Sequence, residues 1–166
     1  MRTEPQCEAV FDCNIYLQAA ARPFSPSAAC LRLAEEGVVV LYVSEDILTE
    51  VSEVLRRPAI QKRFPELTEE SIYKFLERVR GFAKLIKKVP SKFSYQRDVD
   101  DEIYINLAVE AEADFLVSRD NDLLDLMTDY TNDAKDFRRR FHWLKVVDPV
   151  EFLNEVRKLE SETDLS

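Results

Sequence analysis

The run Val38-Val39-Val40-Leu41-Tyr42-Val43 constrains the fold more than any other stretch. It is uninterrupted, apolar and mostly β-branched, the pattern of a strand buried on both faces of a parallel sheet. Gly37 precedes it, where helices commonly end, and Ser44 follows it, where they commonly start. Parallel strands need crossover connections, usually helical, so such a run requires an alternating chain. The sequence supplies one. Residues 8–12 read as a first strand ending in Asp12. Asn14 caps or begins a helix that Pro23 and Pro26 end, and Ser25 or Ser27 caps a second helix running to Glu36. Phe115-Leu116-Val117 and Leu144 to Val147 read as later strands, and Leu85 to Val89 as a short one. Further helices start near Ser44, Thr68, Asp101, Asn121 and Pro149, and Tyr130 to Arg140 is polar and helix-compatible. The pattern predicts an α/β fold, a mostly parallel central sheet flanked by helices.

Helix phase sorts the acids. After Ser44 the apolar stripe is Ile47, Leu48, Val51, Val54 and Leu55. At about 100° per residue, Glu50 lies roughly 100° from its centre and Glu53 roughly 160° away. In the helix from Asp101 the stripe is Ile103, Tyr104, Leu107, Ala108 and Ala111. Asp101 sits roughly 90° from that centre and Glu102 roughly 170°. Glu50 and Asp101 therefore border the interior, while Glu53 and Glu102 face water.

Charge is distributed unevenly. Between Asp98 and Asp129 there are eleven Asp/Glu and one Lys/Arg, Arg119, a net −10. Carboxylates this dense repel, and a cation offsets that cost. From Val54 to Arg97, twelve Lys/Arg against four Asp/Glu give +8, leaving −17 for the rest of a chain whose total is −9. A basic arm on an acidic chain points to a nucleic-acid partner.

Absences narrow the chemistry. Two glycines, Gly37 and Gly81, exclude a P-loop and a dinucleotide-binding turn. One histidine, His142, argues against nucleophilic triads and His-rich zinc sites. The three cysteines, Cys7, Cys13 and Cys30, form no C-x-x-C pair and fit a reducing cytoplasm as small buried residues. No apolar run approaches the roughly 20 residues of a membrane span, and Met1 to Pro5 lack the apolar core of a signal peptide. With 46% apolar and 33% charged residues in 166, the composition is that of one globular domain.

Chemistry must then come from carboxylates, which favour Mg²⁺ or Mn²⁺. In open parallel sheets, sites form beyond the carboxyl ends of the strands. Asp12 and Asp120 end strands, and Glu50 and Asp101 begin helices on the edge of the buried face. The four can share one pocket, where bound cations would acidify water and orient it toward a phosphodiester. Singly, each has a plain structural reading. Asp12 ends a strand, Asn14 caps, Glu50 lies on a helix surface, Asp98 or Asp100 caps the next helix, and Asp120 and Asp122 cap the one at Leu123.

Several short segments together resemble the PIN-domain family, and within it the VapC-like ribonuclease toxins of toxin–antitoxin pairs. They are Val10-Phe11-Asp12-Cys13-Asn14, Ile47-Leu48-Thr49-Glu50-Val51, Asp98-Val99-Asp100-Asp101, Ala113 to Leu124, and Asp148 to Leu153. The resemblance spans roughly Glu8 to Leu153. It implies a Rossmann-like sheet, an acidic pocket for Mg²⁺ or Mn²⁺, endonucleolytic RNA cleavage and a cognate antitoxin as partner. Its acidic quartet falls on Asp12, Glu50, Asp101 and Asp120, with Asp122 as a further ligand and Asn14 and Ser118 as supporting polar groups. Asp98 competes with Asp101 for the third position, and helix phase favours Asp101. Residues 1–159 are then one PIN-like domain with a helical basic arm at about 56–90, and 160–166 a frayed tail.

Arg56, Arg57, Lys62, Arg63, Lys84, Lys87 and Lys88 of the arm are candidates for RNA phosphate contacts. The same surface reads equally well as a solvated helix face or a homodimer face. Arg138-Arg139-Arg140 with His142 and Trp143 is a weaker stacking candidate, since Trp143 reads as core. Two other functions compete: a non-catalytic PIN-like module that binds RNA or protein, and a phosphoacceptor receiver domain using Lys145. The second lacks an acidic neighbour to Asp12.

Overall fold

The computed structural model describes residues 4–165. Met1 to Thr3, part of the segment read above for a signal peptide, and Ser166 lie outside them. Five parallel strands form one sheet in the order β3-β2-β1-β4-β5. They are β1 (Cys7–Phe11), β2 (Val39–Val43), β3 (Lys84–Leu85), β4 (Phe115–Val117) and β5 (Lys145–Val147). The mostly parallel α/β sheet expected from the apolar runs is entirely parallel. The chain winds from β1 outward through β2 to β3, then returns to place β4 on the other side of β1. That reversal makes the gap between β1 and β4 the switch point where α/β sheets place ligands.

Local chemistry sets the helix boundaries. In α1 (Cys13–Ala21) the N-cap is Asp12, whose side chain accepts from Cys13 N. Ser25, with Pro26 at the first position, starts α2 (Pro26–Glu35), and Gly37 leaves it with φ +83°, a conformation that favours glycine. Ser44 caps α3 (Glu45–Leu55), which buries Ile47, Leu48, Val51 and Leu55 as its periodicity requires. Glu50 is half-buried and Glu53 exposed.

The arm holds α4 (Pro58–Arg63) and α5 (Glu69–Phe82), the latter capped by Thr68 and buried through Ile72, Phe75 and Val79. Arg78 pairs with Glu35 at 2.9 Å and Arg80 with Glu45 at 3.1 Å, tying α5 to α2 and α3. The strand expected over residues 85–89 is only the two residues of β3. The chain then crosses α6 (Glu102–Glu110) as a strap. Asn106, 5% exposed, accepts from Lys92 N and Phe93 N at 2.9 Å each and donates to Phe93 O. Because the strap covers it, α6 buries Tyr104 through Val109 rather than a single stripe.

Beyond β4 come α7 (Asn121–Leu124), α8 (Asn132–Arg140), β5 and α9 (Pro149–Leu165). Phe152 of α9 meets Phe11 and Phe115 edge-on at 5.8 and 5.4 Å, seating the helix on the sheet. Burying one such ring contributes ~1.5–3 kcal/mol. The helix continues to Leu165, so the stretch 160–165 is helical rather than frayed, with Thr163 donating to Gln6 Oε1. Trp143, expected in the core, is 39% exposed, because it precedes β5 at the sheet rim, where its ring meets Phe141 and His142 edge-on. Lys145 opens β5, at the end of the sheet opposite the acids that follow β1 and β4, which removes the receiver geometry. The cysteines are free. Among the described residues no helix is long and apolar enough to cross a membrane.

Candidate metal centre

The site grows from two strand ends. Asp12 N donates to Val117 O at 2.9 Å, so the residue leaving β1 is bound to the last residue of β4. Asp12 is 5% exposed. Its Oδ1 accepts from Cys13 N at 2.7 Å and its Oδ2 from Ser118 Oγ at 2.7 Å. Ser118, wholly buried, also accepts from Asp120 N at 2.9 Å. One hydroxyl thus joins the two strand-end acids. Asp120 caps α7 by accepting from Asp122 N at 2.9 Å. Asn14 is not the cap of α1. Its Oδ1 accepts from Arg119 N at 3.3 Å and holds the same turn from the other side.

The acidic turn supplies the rest. Asp98 caps a 3₁₀ turn, Val99–Asp101, by accepting from Asp100 N, and the turn feeds directly into α6. Asp98, Asp101, Asp120 and Asp122 each place one carboxylate oxygen within 4.8 Å of the others. Asp98 and Asp101, the two alternatives for the third position, both lie in the group. Asp101 is the buried member at 6% exposure, and its Oδ2 has no hydrogen-bond partner.

Electrostatics follow from this crowding. Burial pushes the Asp101 carboxyl up to about 8, and the charges of Asp12, Asp98, Asp120 and Asp122 push the same way. Asp12 is pushed up to about 6, first by burial, with Asp120 and Glu50 adding to it. The hydrogen bonds from Ser118 and Cys13 N hold it down in part. A buried carboxylate oxygen with no donor is costly. An all-oxygen carboxylate set fits a hard divalent cation, and a cation here would satisfy Asp101 Oδ2 and reverse both displacements.

Glu50 stands outside the four-carboxylate group, near enough to Asp12 and Cys13 to act on their charge. Tyr104 of α6 donates to Glu50 Oε1 at 2.6 Å, linking α3 to the helix that begins at Asp101. Of the expected quartet, then, Asp101 and Asp120 come together with Asp122 and Asp98, Asp12 is joined through Ser118, and Glu50 stands outside the group, bonded to Tyr104.

Two contacts were not expected from the sequence. Arg97 donates to Asp122 Oδ1 at 2.6 Å, Asp125 Oδ2 at 2.9 Å and Asp129 Oδ2 at 3.3 Å. Asp122 therefore shares its carboxylate with an arginine, because the strap delivers Arg97 over α7. Tyr95 of the same strap donates to Asp122 O. Tyr104 and Asn106, polar groups within an apolar helix stretch, show only that buried partners exist and not which residues they are, since buried polar groups need partners.

A family model described as the PIN domain matches residues 8–122. The chain belongs to the PIN-domain family. The match ends at Asp122 and takes in every acid of the cluster, together with Asp12 and Glu50. PIN domains are typically metal-dependent nucleases, and the carboxylate cluster of this PIN domain fits that chemistry. No curated protein matches the chain.

The arm divides into paired and unpaired cations. Arg56, Lys74, Arg78, Arg80, Lys92 and Arg97 form ion pairs, six of the twelve. Arg56, one of the candidate RNA contacts, is already engaged within the chain. Its Nε donates to both oxygens of Glu69 at 3.0 Å, and it also binds Ser52, bracing α3 against α5. Arg57, Lys62, Arg63, Lys84, Lys87 and Lys88 form no ion pair among the described residues and are exposed. Lys87 and Lys88 follow β3, whose carboxyl end shares an edge with Asp12 and Ser118.

Proposed function

We propose that this PIN domain is a Mg²⁺- or Mn²⁺-dependent endoribonuclease, the VapC-like toxin of a toxin–antitoxin pair, working in the cytoplasm. The observation that carries the reading is Asp101 Oδ2, buried and unpartnered among three further carboxylates. Asp12, Asp101 and Asp120 would hold the cation, with Asp98 and Asp122 at its margin. Bound there, a divalent cation supplies an acidified water and neutralises charge on the phosphate and leaving oxygen. The chain's own groups do the positioning. Ser118 fixes Asp12 relative to Asp120, and Tyr104 fixes Glu50, leaving Glu50 Oε2 to accept a hydrogen bond or proton from water. Arg57, Lys62, Arg63, Lys84, Lys87 and Lys88 hold phosphates of the RNA, with Lys87 and Lys88 following β3 at the carboxyl edge of the sheet. A cognate antitoxin and a second copy of the chain are the protein partners that this reading adds.

Incubating RNA with Mn²⁺ tests it. The parent cleaves, and Asp12→Asn, Asp101→Asn and Asp120→Asn do not, while circular dichroism stays unchanged. Cleavage by all three at the parental rate removes the site assignment. A non-catalytic module that binds RNA or protein is favoured by one observation, Arg97 already neutralising Asp122. Calorimetry separates the two: absence of Mn²⁺ binding at millimolar concentration supports the module.

A further inference from the structure

Beside the acids lies a cavity of about 320 Å³ that the carboxylate chemistry leaves unused. Arg119, Leu124, Asp148, Pro149, Val150 and Gln18 line it. Its place in the fold is fixed by the strand ends. Ser118 N donates to Val147 O, so the turn after β4 and the start of α9 after β5 are held side by side. Arg119 sits between Ser118 and Asp120, and Leu124 shares the short α7 with Asp122. The cavity therefore opens on the same sheet edge as the four-carboxylate group, with the turn Ser118-Arg119-Asp120 between them.

We infer that this cavity receives the nucleotide next to the scissile phosphate, with Arg119 on its phosphate and Leu124, Pro149 and Val150 against its base. The inference rests on the nuclease reading above and names a subsite of that same site. Five observations support it. Arg119 is the lone cation between Asp98 and Asp129, is exposed, and makes no ion pair among the described residues, although acids surround it in sequence. An arginine left unpaired there offers its donors to an anion from outside. Its backbone is not loose, because Asn14 Oδ1 accepts from Arg119 N. The wall is apolar where a base would lie, and Val150 is 55% exposed, an aliphatic surface open to contact. Polar groups flank it. Gln18 has Oε1 occupied by Ser27 Oγ at 2.6 Å, leaving its amide N–H groups as donors, and Asp148 supplies an acceptor for base N–H groups. The volume lies at the lower end of the range of small-ligand pockets, about 300–1,000 Å³. A peptide partner would meet one cation and no matching row of acceptors, so a nucleotide suits the donor set better.

The test uses the full chain, metal-free, with ¹⁵N spectra recorded during titration with guanosine and uridine 5′-monophosphates and, separately, inorganic phosphate. The expected result is nucleotide-dependent shifts of the Gln18 side-chain amide, the Arg119 Nε–H and the Leu124 and Val150 amides. These shifts are absent in Arg119→Ala and in Val150→Glu, the latter an exposed position whose change leaves the core intact. With RNA as substrate and Mn²⁺ present, Arg119→Ala raises KM about tenfold and leaves kcat within about twofold, the effect of one lost charge-assisted hydrogen bond in binding. Shifts centred on Lys87 and Lys88 overturn the subsite, as do equal shifts with phosphate alone or none with any ligand, whether or not RNA is cleaved. Cavity shifts in a protein that cleaves no RNA keep the nucleotide site and overturn the nuclease reading.

Discussion

Asp101→Asn tests the electrostatics of the centre without any substrate. In the parent the Asp101 carboxyl is pushed up to about 8 from an ordinary 3.8. A raised carboxyl pKa means that the folded protein holds this proton to higher pH than the unfolded chain does. The stability cost is therefore absent below pH ~4, grows as pH rises, and is complete above pH ~8. Four pH units at ~1.4 kcal/mol each set that cost at about 5–6 kcal/mol. Asparagine keeps the shape and removes the charge that Asp12, Asp98, Asp120 and Asp122 oppose. With chelator at about pH 8.5, the variant should unfold about 10–20 °C above the parent, since ~1 kcal/mol moves the midpoint of a chain this size by ~2–4 °C. At about pH 4 the two should coincide. Added Mn²⁺ should raise the parent's midpoint at about pH 8.5 and leave the variant's nearly unmoved. Thermal melts followed by circular dichroism read all three. A variant no more stable than the parent at high pH refutes the claim that Asp101 is an opposed, buried charge. So does a parent whose stability climbs from about pH 5 to 8.

Three further outcomes are expected. Ser118→Ala strands Asp12 Oδ2 and Asp120 N, and urea denaturation should show a loss of about 1–3 kcal/mol per stranded group. Asn106→Ala leaves Lys92 N and Phe93 N without an acceptor, so hydrogen exchange at those two amides should accelerate well before global unfolding. Unchanged protection there contradicts the strap. Arg97→Ala frees Asp122 and removes a positive charge from the cluster's edge, so calorimetric Mn²⁺ affinity should rise; a fall shows that Arg97 aids the cation.

What could be read from the chain was local. Strand-end position singled out Asp12 and Asp120, and helix phase separated Glu50 from Glu53, because these depend on neighbours within two turns. Asp98 was harder. Its carboxylate reaches the cluster only because the 3₁₀ turn folds it back beside Asp101, where sequence periodicity gives a single helix start. The Arg97 contacts join residues 25 to 32 positions apart, and Tyr104 reaches Glu50 across 54, so neither leaves a short-range signature. Trp143 was misplaced because a large aromatic before a strand is ordinarily core, whereas here the edge strand β5 leaves one side of it open.

The strap over α6 sets where this chain tolerates changes in length. From Phe93 to Asp101 its side-chain and backbone bonds are keyed residue by residue: Phe93 to Asn106, Tyr95 to Glu102, Arg97 to Asp122. One added or deleted residue in that stretch shifts every later partner by a full position and separates the acids from their counter-charge. Between Leu85 and Ser91, where Lys87, Lys88 and Pro90 are exposed, the same change has few contacts to break. The arm can therefore be lengthened, shortened or exchanged at its return crossing, while the nine residues that follow behave as a fixed-length ruler.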